Sequence, residues 1–156
     1  HLLNNLTYKG CQSCYACKGK TEQCVVKDDI TPILDAMHDA DVIVMASPNY
    51  YGHISGQMKL FLDRTFSLLT PEFATGKNTS RLKKGKHMVF IYTQGADETL
   101  FTDVLPKIEQ FKGYYQFEKV HTLHGCRVMD TKDAAGRPDL IEQAEEIAHK
   151  LIREIK

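Results

Sequence analysis

The chain has 156 residues, 42% of them hydrophobic, enough for one core of ordinary domain size. Twenty Lys and Arg cancel twenty Asp and Glu. With no basic excess to attract polyanions, neither nucleic acid nor an anionic membrane is an expected partner. The longest apolar runs, Val42 to Ala46 and Met88 to Tyr92, are far too short to span a bilayer.

The opening HLLNNLTYKG reads as the tail of a strand running into a loop, and its first residue is His1 rather than Met. No secretion signal is visible there. Four of the five cysteines follow between Cys11 and Cys24. An extracellular disulfide scaffold spreads its cysteines to staple distant segments. Clustering beside a good core points instead to metal or redox work in a reducing compartment, and the cytoplasm is the expected location.

Thr31-Pro32 predicts an N-cap followed by proline at the first helical position, with Ile33, Leu34 and Met37 on one apolar face and an end near Ala40. The run VIVMAS, Val42 to Ser47, has the unalternating, β-branched character of a strand buried on both faces. After the loop SPNYYGHIS, Ser55 is placed to cap a helix with Met58, Phe61, Leu62, Thr65, Phe66 and Leu69 inward. Residues 71–86 read as a solvent loop, and His87 to Thr93 as a second buried strand. Helical spacing over 98–112 is interrupted by Pro106, which predicts a kink or a shortened helix. Tyr115 to Leu123 reads as a third strand, with Phe117, Val120 and Leu123 inward. Asp139 and Glu142 suggest a capping box for a last helix with the stripe Leu140, Ile141, Ala144, Ile147, Ala148, Leu151, Ile152 and Ile155. Strand and helix alternate throughout, the pattern of a single α/β domain with a doubly wound parallel sheet over residues 1–156 and a cysteine-rich loop at 9–26.

In an open parallel sheet, ligands bind beyond the carboxyl ends of the strands. The loop Ser47, Pro48, Asn49, Tyr50, Tyr51, Gly52 and the loop Thr93, Gln94, Gly95, Ala96 both lie at that edge. Glycines let backbone amides approach a flat ligand, and tyrosines offer aromatic faces. Two readings fit these features equally: a site for a planar ring, or tight turns with tyrosines packed for stability.

The segment SPNYYGHISGQMKLFLDR, Ser47 to Arg64, resembles the flavin-loop region of the NADPH-dependent FMN reductase and iron–sulfur flavoprotein family. The matching residues are Pro48, Tyr50, Gly52, Lys59, Phe61, Asp63 and Arg64, joined by CVVKDDI from Cys24 to Ile30. The likeness covers about residues 9–66 and is architectural beyond. It implies a flavodoxin-like fold with FMN as cofactor and NAD(P)H as co-substrate. Pro48 to Gly52, next to Ser47, would then wrap the isoalloxazine, and Thr93 to Ala96 would close its other side. The resemblance assigns no acid, base or nucleophile, because the cofactor carries the chemistry. Lys59, Asp63 and Arg64 read as an ion-pair set on a helix surface, and His53 as a polar turn residue. Relatives begin with a central strand and a Ser/Gly-rich phosphate loop. Nothing here matches them, so the sequence is expected to lack an N-terminal portion of its natural protein.

Cys11, Cys14 and Cys17 stand three residues apart, and Cys24 follows seven later. The spacing resembles the compact motif that holds a [4Fe–4S] cluster in iron–sulfur flavoproteins. It departs from the ferredoxin run, whose fourth cysteine comes sooner and precedes proline. Zinc and uncomplexed thiols, reduced or disulfide-linked, stay open beside the cluster. Cys126, alone in LHGCRV, reads as a small buried or turn residue. The combined expectation is an FMN-dependent oxidoreductase, homo-oligomeric as a dimer or tetramer, passing electrons to a small-molecule or protein acceptor. An electron carrier without organic turnover, and a non-enzymatic redox- or metal-sensing module, are the alternatives.

Overall fold

Two of the β-branched, apolar runs in the sequence pair directly as parallel strands, and a third joins them. The computed structural model describes residues 1–76 and 78–155. Its elements run α1 (Thr31–Ala36), β1 (Val42–Tyr50), β2 (His53–Ile54), α2 (Gly56–Arg64), β3 (His87–Gln94), α3 (Val104–Glu109), α4 (Phe111–Tyr115), β4 (Lys119–Cys126), α5 (Thr131–Ala135) and α6 (Pro138–Glu154), linked in places by 3-10 turns. The sheet order is β2-β1-β3-β4. β1, β3 and β4 are parallel, with Val42 opposite His87 and His87 opposite Lys119, while β2 folds back antiparallel on the end of β1.

Period-two alternation gives the sheet two faces. Ile43, Met45, Met88, Phe90 and Tyr92 are buried on one face, in a core shared with Leu34 of α1, Met58, Phe61 and Leu62 of α2, and Val104 and Ile108 of α3. The opposite face carries Val89 and Leu123 and is covered by α6, whose Leu140 and Leu151 are buried. No described helix is long and apolar enough to cross a membrane.

Several sequence expectations are corrected. The first residues form a 3-10 turn at Leu3–Asn5 rather than the end of a strand. Ile30, not Thr31, caps α1; Thr31 is the first helical residue, its hydroxyl accepting from Asp28 N at 3.0 Å. β1 is not buried on both faces: Val44 is 61% exposed, because α6 lies over β4. β1 also runs on through Pro48 to Tyr50, so the expected loop is largely a hairpin. Residues 71–86 are not a plain solvent loop. Leu82 and Lys86 are buried, Ser80 bridges to Leu69, and Lys77 lies outside the described residues. Pro106 falls in the first turn of α3, where its missing N–H costs no helical bond. The helix instead breaks at Gln110. The third long strand starts at Lys119 because Tyr115 ends α4 and Gln116 is left-handed. Asp139 builds no capping box, since Arg137 holds both its carboxylate oxygens at 2.8 and 2.6 Å and itself caps α6. The capping box is Asp130 with Asp133, on α5. Ile141, Ile152 and Ile155 of the expected inward stripe are exposed.

The Ser55 cap is present: its Oγ accepts from Met58 N at 3.3 Å, while its own N–H donates to Ser47 Oγ at 2.9 Å. Ser55→Ala is expected to lower stability by about 1 kcal/mol, read as a shift of the urea midpoint at unchanged slope.

Candidate functional site

Because β1 and β3 are parallel neighbours with Pro48 opposite Thr93, the loops that leave them open side by side on one rim. Tyr51 and Gly52 form the two-residue hairpin turn, with φ of +53° and +76°. Asn49 Oδ1 accepts from Gly52 N at 2.8 Å and fixes this turn. A side chain on Gly52 would combine left-handed backbone strain with contact on the Phe101 ring at 3.0 Å. Tyr50 is 60% exposed and Tyr51 wholly so. Across the rim, a Cβ on Gly95 would overlap Met129 Sδ, and Met129 is itself 81% exposed.

The ten rim residues divide by orientation. Ser47 and Gln94 are buried and brace the rim: Ser47 bonds the start of α2, and Gln94 Nε2 donates to Asp97 O at 2.6 Å and Leu100 O at 3.2 Å. Gln94 O accepts from Val128 N at 2.9 Å, and Ala96 O from Arg127 N at 3.0 Å, tying the second loop to the segment after β4. Pro48, Tyr50, Tyr51, Gly52, Thr93, Gly95 and Ala96 complete the set along the same edge. Among the described residues, the buried atoms Asn49 Nδ2, Tyr92 Oη and Gln94 Oε1 lack a partner at hydrogen-bonding distance. Burial, with Asp103 nearby, pushes the Tyr92 phenol above its usual pKa. At the end of β4, half-buried Cys126 sits with its sulfur 3.4 Å from His124 Nε2.

The structure also gathers the four clustered cysteines. Cys11, Cys14, Cys17 and Cys24 line one small cavity together with Val25, Val26, Arg64 and Phe66. Cys17 is buried, Cys24 half-buried, Cys11 and Cys14 exposed, and all are free thiols. Left-handed backbone at Ser13 and Tyr15 folds the loop inward. Among the described residues, no three of these sulfurs lie within 4.8 Å of one another.

Arg64 is the residue the sequence reading misplaced. Lys59 and Asp63 do form a surface pair at 2.6 Å, but Arg64 is only 1% exposed. Its Nη1 donates to Asp28 Oδ2 at 2.6 Å and Lys9 O at 2.9 Å, and its Nη2 to Val26 O at 2.8 Å. One guanidinium thus clamps both sides of the neck of the cysteine loop. Burial opposes its charge, but Asp28 and Cys24 outweigh that and raise its pKa. Two more cations flank the thiols. Lys18 Nζ is 3.6 Å from Cys17 Sγ, donates to Phe66 O and Leu69 O, and lies 4.0 Å from the Phe66 ring centre. Arg81 Nη2 donates to Cys17 O at 3.1 Å. An open hollow of about 560 Å³ runs along α2 from Cys11 and Tyr15 to His53 and Ile54, so the cysteine loop and the rim hairpin border one space.

The sequence profile of the NADPH-dependent FMN reductase family matches residues 3–103, well over half of the chain. The chain belongs to that family. This chain is similar to an iron–sulfur flavoprotein of Archaeoglobus fulgidus, at 41% identity over 64 residues, 40% of this chain and 30% of that protein. It is also similar to an iron–sulfur flavoprotein of Methanosarcina thermophila, at 35% identity over 72 residues, 46% of this chain and 37% of that protein. The alignments span about a third of the length of these curated relatives. The solved structure of an FMN-dependent NADH-azoreductase from Bacillus anthracis in complex with FMN superimposes with a TM-score of 0.58. It covers 81% of this chain and 62% of that one at 17% identity, a likeness of fold. The fold of this FMN reductase family member is flavodoxin-like.

Proposed function

We propose that the chain holds FMN along the rim of Pro48 to Gly52 and Thr93 to Ala96, is reduced by NAD(P)H, and passes electrons through a [4Fe–4S] cluster on Cys11, Cys14, Cys17 and Cys24 to a small-molecule or protein acceptor. The observation that carries this reading is the pairing of Pro48 with Thr93, which opens both loops on one rim, beside a hollow that runs from the cysteine loop to His53 and Ile54 of the hairpin. Residues at the rim suit a flavin. Tyr50 offers an exposed aromatic face, and Gly95 lets the backbone come close once the flexible Met129 side chain moves aside. Bound there, FMN would supply hydride acceptance and release of electrons singly or in pairs, while the rim residues hold and orient it.

At the other end, four cysteines lining one small cavity are a donor set for a cluster, which would supply one-electron steps there. Four thiolates bring net negative charge, and Arg64, Lys18 and Arg81 offset it from the protein side.

The test is anaerobic purification of the chain, flavin addition, and NAD(P)H oxidation with a dye acceptor. Binding of FMN near one per chain with turnover supports the reading, and a chain that binds no flavin overturns it. Gly95→Val is the matching variant. Its backbone accepts a side chain without left-handed strain, and Met129 is free to move. The fold should therefore persist while FMN affinity falls by about tenfold or more, measured by quenching of flavin fluorescence.

A further inference from the structure

At the amino-terminal end of the strands, away from the rim, two histidines and a glutamate converge. His87 opens β3, and the register of His87 with Lys119 and Val89 with His121 sets His87 and His121 diagonally on one sheet face. The last residue of α6, Glu154, comes down over them. One ligand atom from each of the three lies within 4.8 Å of the other two, and this is the one such group among the described residues. The imidazole rings lie nearly parallel, 21° apart, with centroids at 5.9 Å.

The hydrogen bonding around this group is incomplete. His87 is 2% exposed, yet among the described residues its buried Nδ1 has no hydrogen-bond partner, and neither has the buried Nε2 of His121. Glu154 Oε2 stands 3.7 Å from His87 Nδ1, too far for a hydrogen bond. Buried polar atoms almost always find a partner. Two orphaned imidazole nitrogens aimed at one carboxylate need an account that a surface ion pair does not supply.

We propose that His87, His121 and Glu154 bind a divalent transition-metal ion of the zinc class. Two imidazoles and one carboxylate form a donor set for such an ion, with water completing its shell, whereas magnesium and calcium prefer oxygen donors. In a tetrahedral zinc site, nitrogen and oxygen ligands stand about 3.3 Å apart. The group therefore closes by roughly an ångström on binding, which side-chain rotation supplies. Lys119 is the competitor, since its ammonium pairs with the other oxygen of Glu154. The bound ion ties the final turn of α6 to β3 and β4. It is exchangeable, because the Glu154 side chain is 30% exposed. This site is independent of flavin and of the clustered thiols.

Cobalt(II) titration followed by visible absorption separates it from the cysteine pocket, because thiolate ligands add intense charge-transfer bands that imidazole and carboxylate do not. The full chain is expected to take up one cobalt ion with ligand-field bands in addition to any ion the cysteine pocket takes up with charge-transfer bands, and zinc to raise its melting temperature. His121→Gln and Glu154→Gln should each weaken that uptake at least tenfold. Glu154 is at the surface, so its variant reports on the site even if a histidine variant folds poorly. Lys119→Met should tighten binding by freeing the carboxylate. Uptake unchanged in Glu154→Gln, or cobalt bound only with thiolate charge-transfer bands, overturns the proposal.

Discussion

Arg64→Met is expected to cost the fold about 3–5 kcal/mol, the usual penalty for removing one partner of a buried ion pair. The side chain of Arg64 is fully buried and that of Asp28 only 13% exposed. Deleting the guanidinium strands the carboxylate and leaves Lys9 O and Val26 O without their donor. Urea denaturation of the two single variants and the double variant measures this. Asp28→Asn combined with Arg64→Met should cost less than the sum of the singles, since each alone strands the other group. The same pair has a signature in pH. Burial works against the Asp28 charge, but bonds from Arg64 and from backbone N–H groups win, and its pKa is lowered. A lowered carboxyl contributes fully above its unfolded pKa of about 3.9, and that contribution fades as pH falls toward the folded value. Stability of the parent should drop across that acid window, and Asp28→Asn should remove this part of the drop. A loss under about 1 kcal/mol in Arg64→Met would show the neck held by other contacts.

On the proposed cluster reading, Cys17→Ser should abolish iron and sulfide binding in protein purified without oxygen, and with it the visible absorbance that bleaches on reduction. Cys17 is the buried member of the set, and Lys18 and Arg81 meet it directly. A serine there supplies a harder, less easily ionised ligand at the point where the loop is held most firmly. Cys126→Ser is the control, since Cys126 lies at the end of β4 beside His124 and does not line the cysteine cavity. Lys18→Met should retain the cluster but lower its reduction potential, because a nearby positive charge favours the electron-rich state. Anaerobic protein of correct fold but without iron refutes the cluster. Flavin binding by the same sample would leave the rim assignment standing.

Local chemistry made much of this legible. β-branched runs announced two of the parallel strands, Ser55 announced its cap, and two glycine-bearing loops after parallel strands had to share an edge. The misreadings share a cause, which is dependence on distant partners. The expected strand stopped at Ser47, but proline is tolerated at the margin of a sheet, and the strand continues through Pro48 into the hairpin. Val44 has the composition of a core residue, and only the placement of α6 decides that it faces outward. Lys59 and Asp63 at helical spacing implied that Arg64 shared their surface, whereas its partner Asp28 lies 36 positions away. His87, His121 and Glu154 are likewise scattered along the chain and meet only through strand register and the reach of α6.

Helix α2 begins at the hairpin, through Ser55, and ends at the neck of the cysteine loop, through Arg64. At about 1.5 Å per residue and 100° of rotation, it works as a ruler with a fixed phase. Lengthening it by one residue would swing the guanidinium about a quarter-turn away from the backbone carbonyls it grips. Spacing between the two ends of the hollow is therefore set by a count of residues as well as a choice of side chains, and tolerance to insertion should be far lower within Gly56–Arg64 than in the cysteine loop between Cys17 and Cys24.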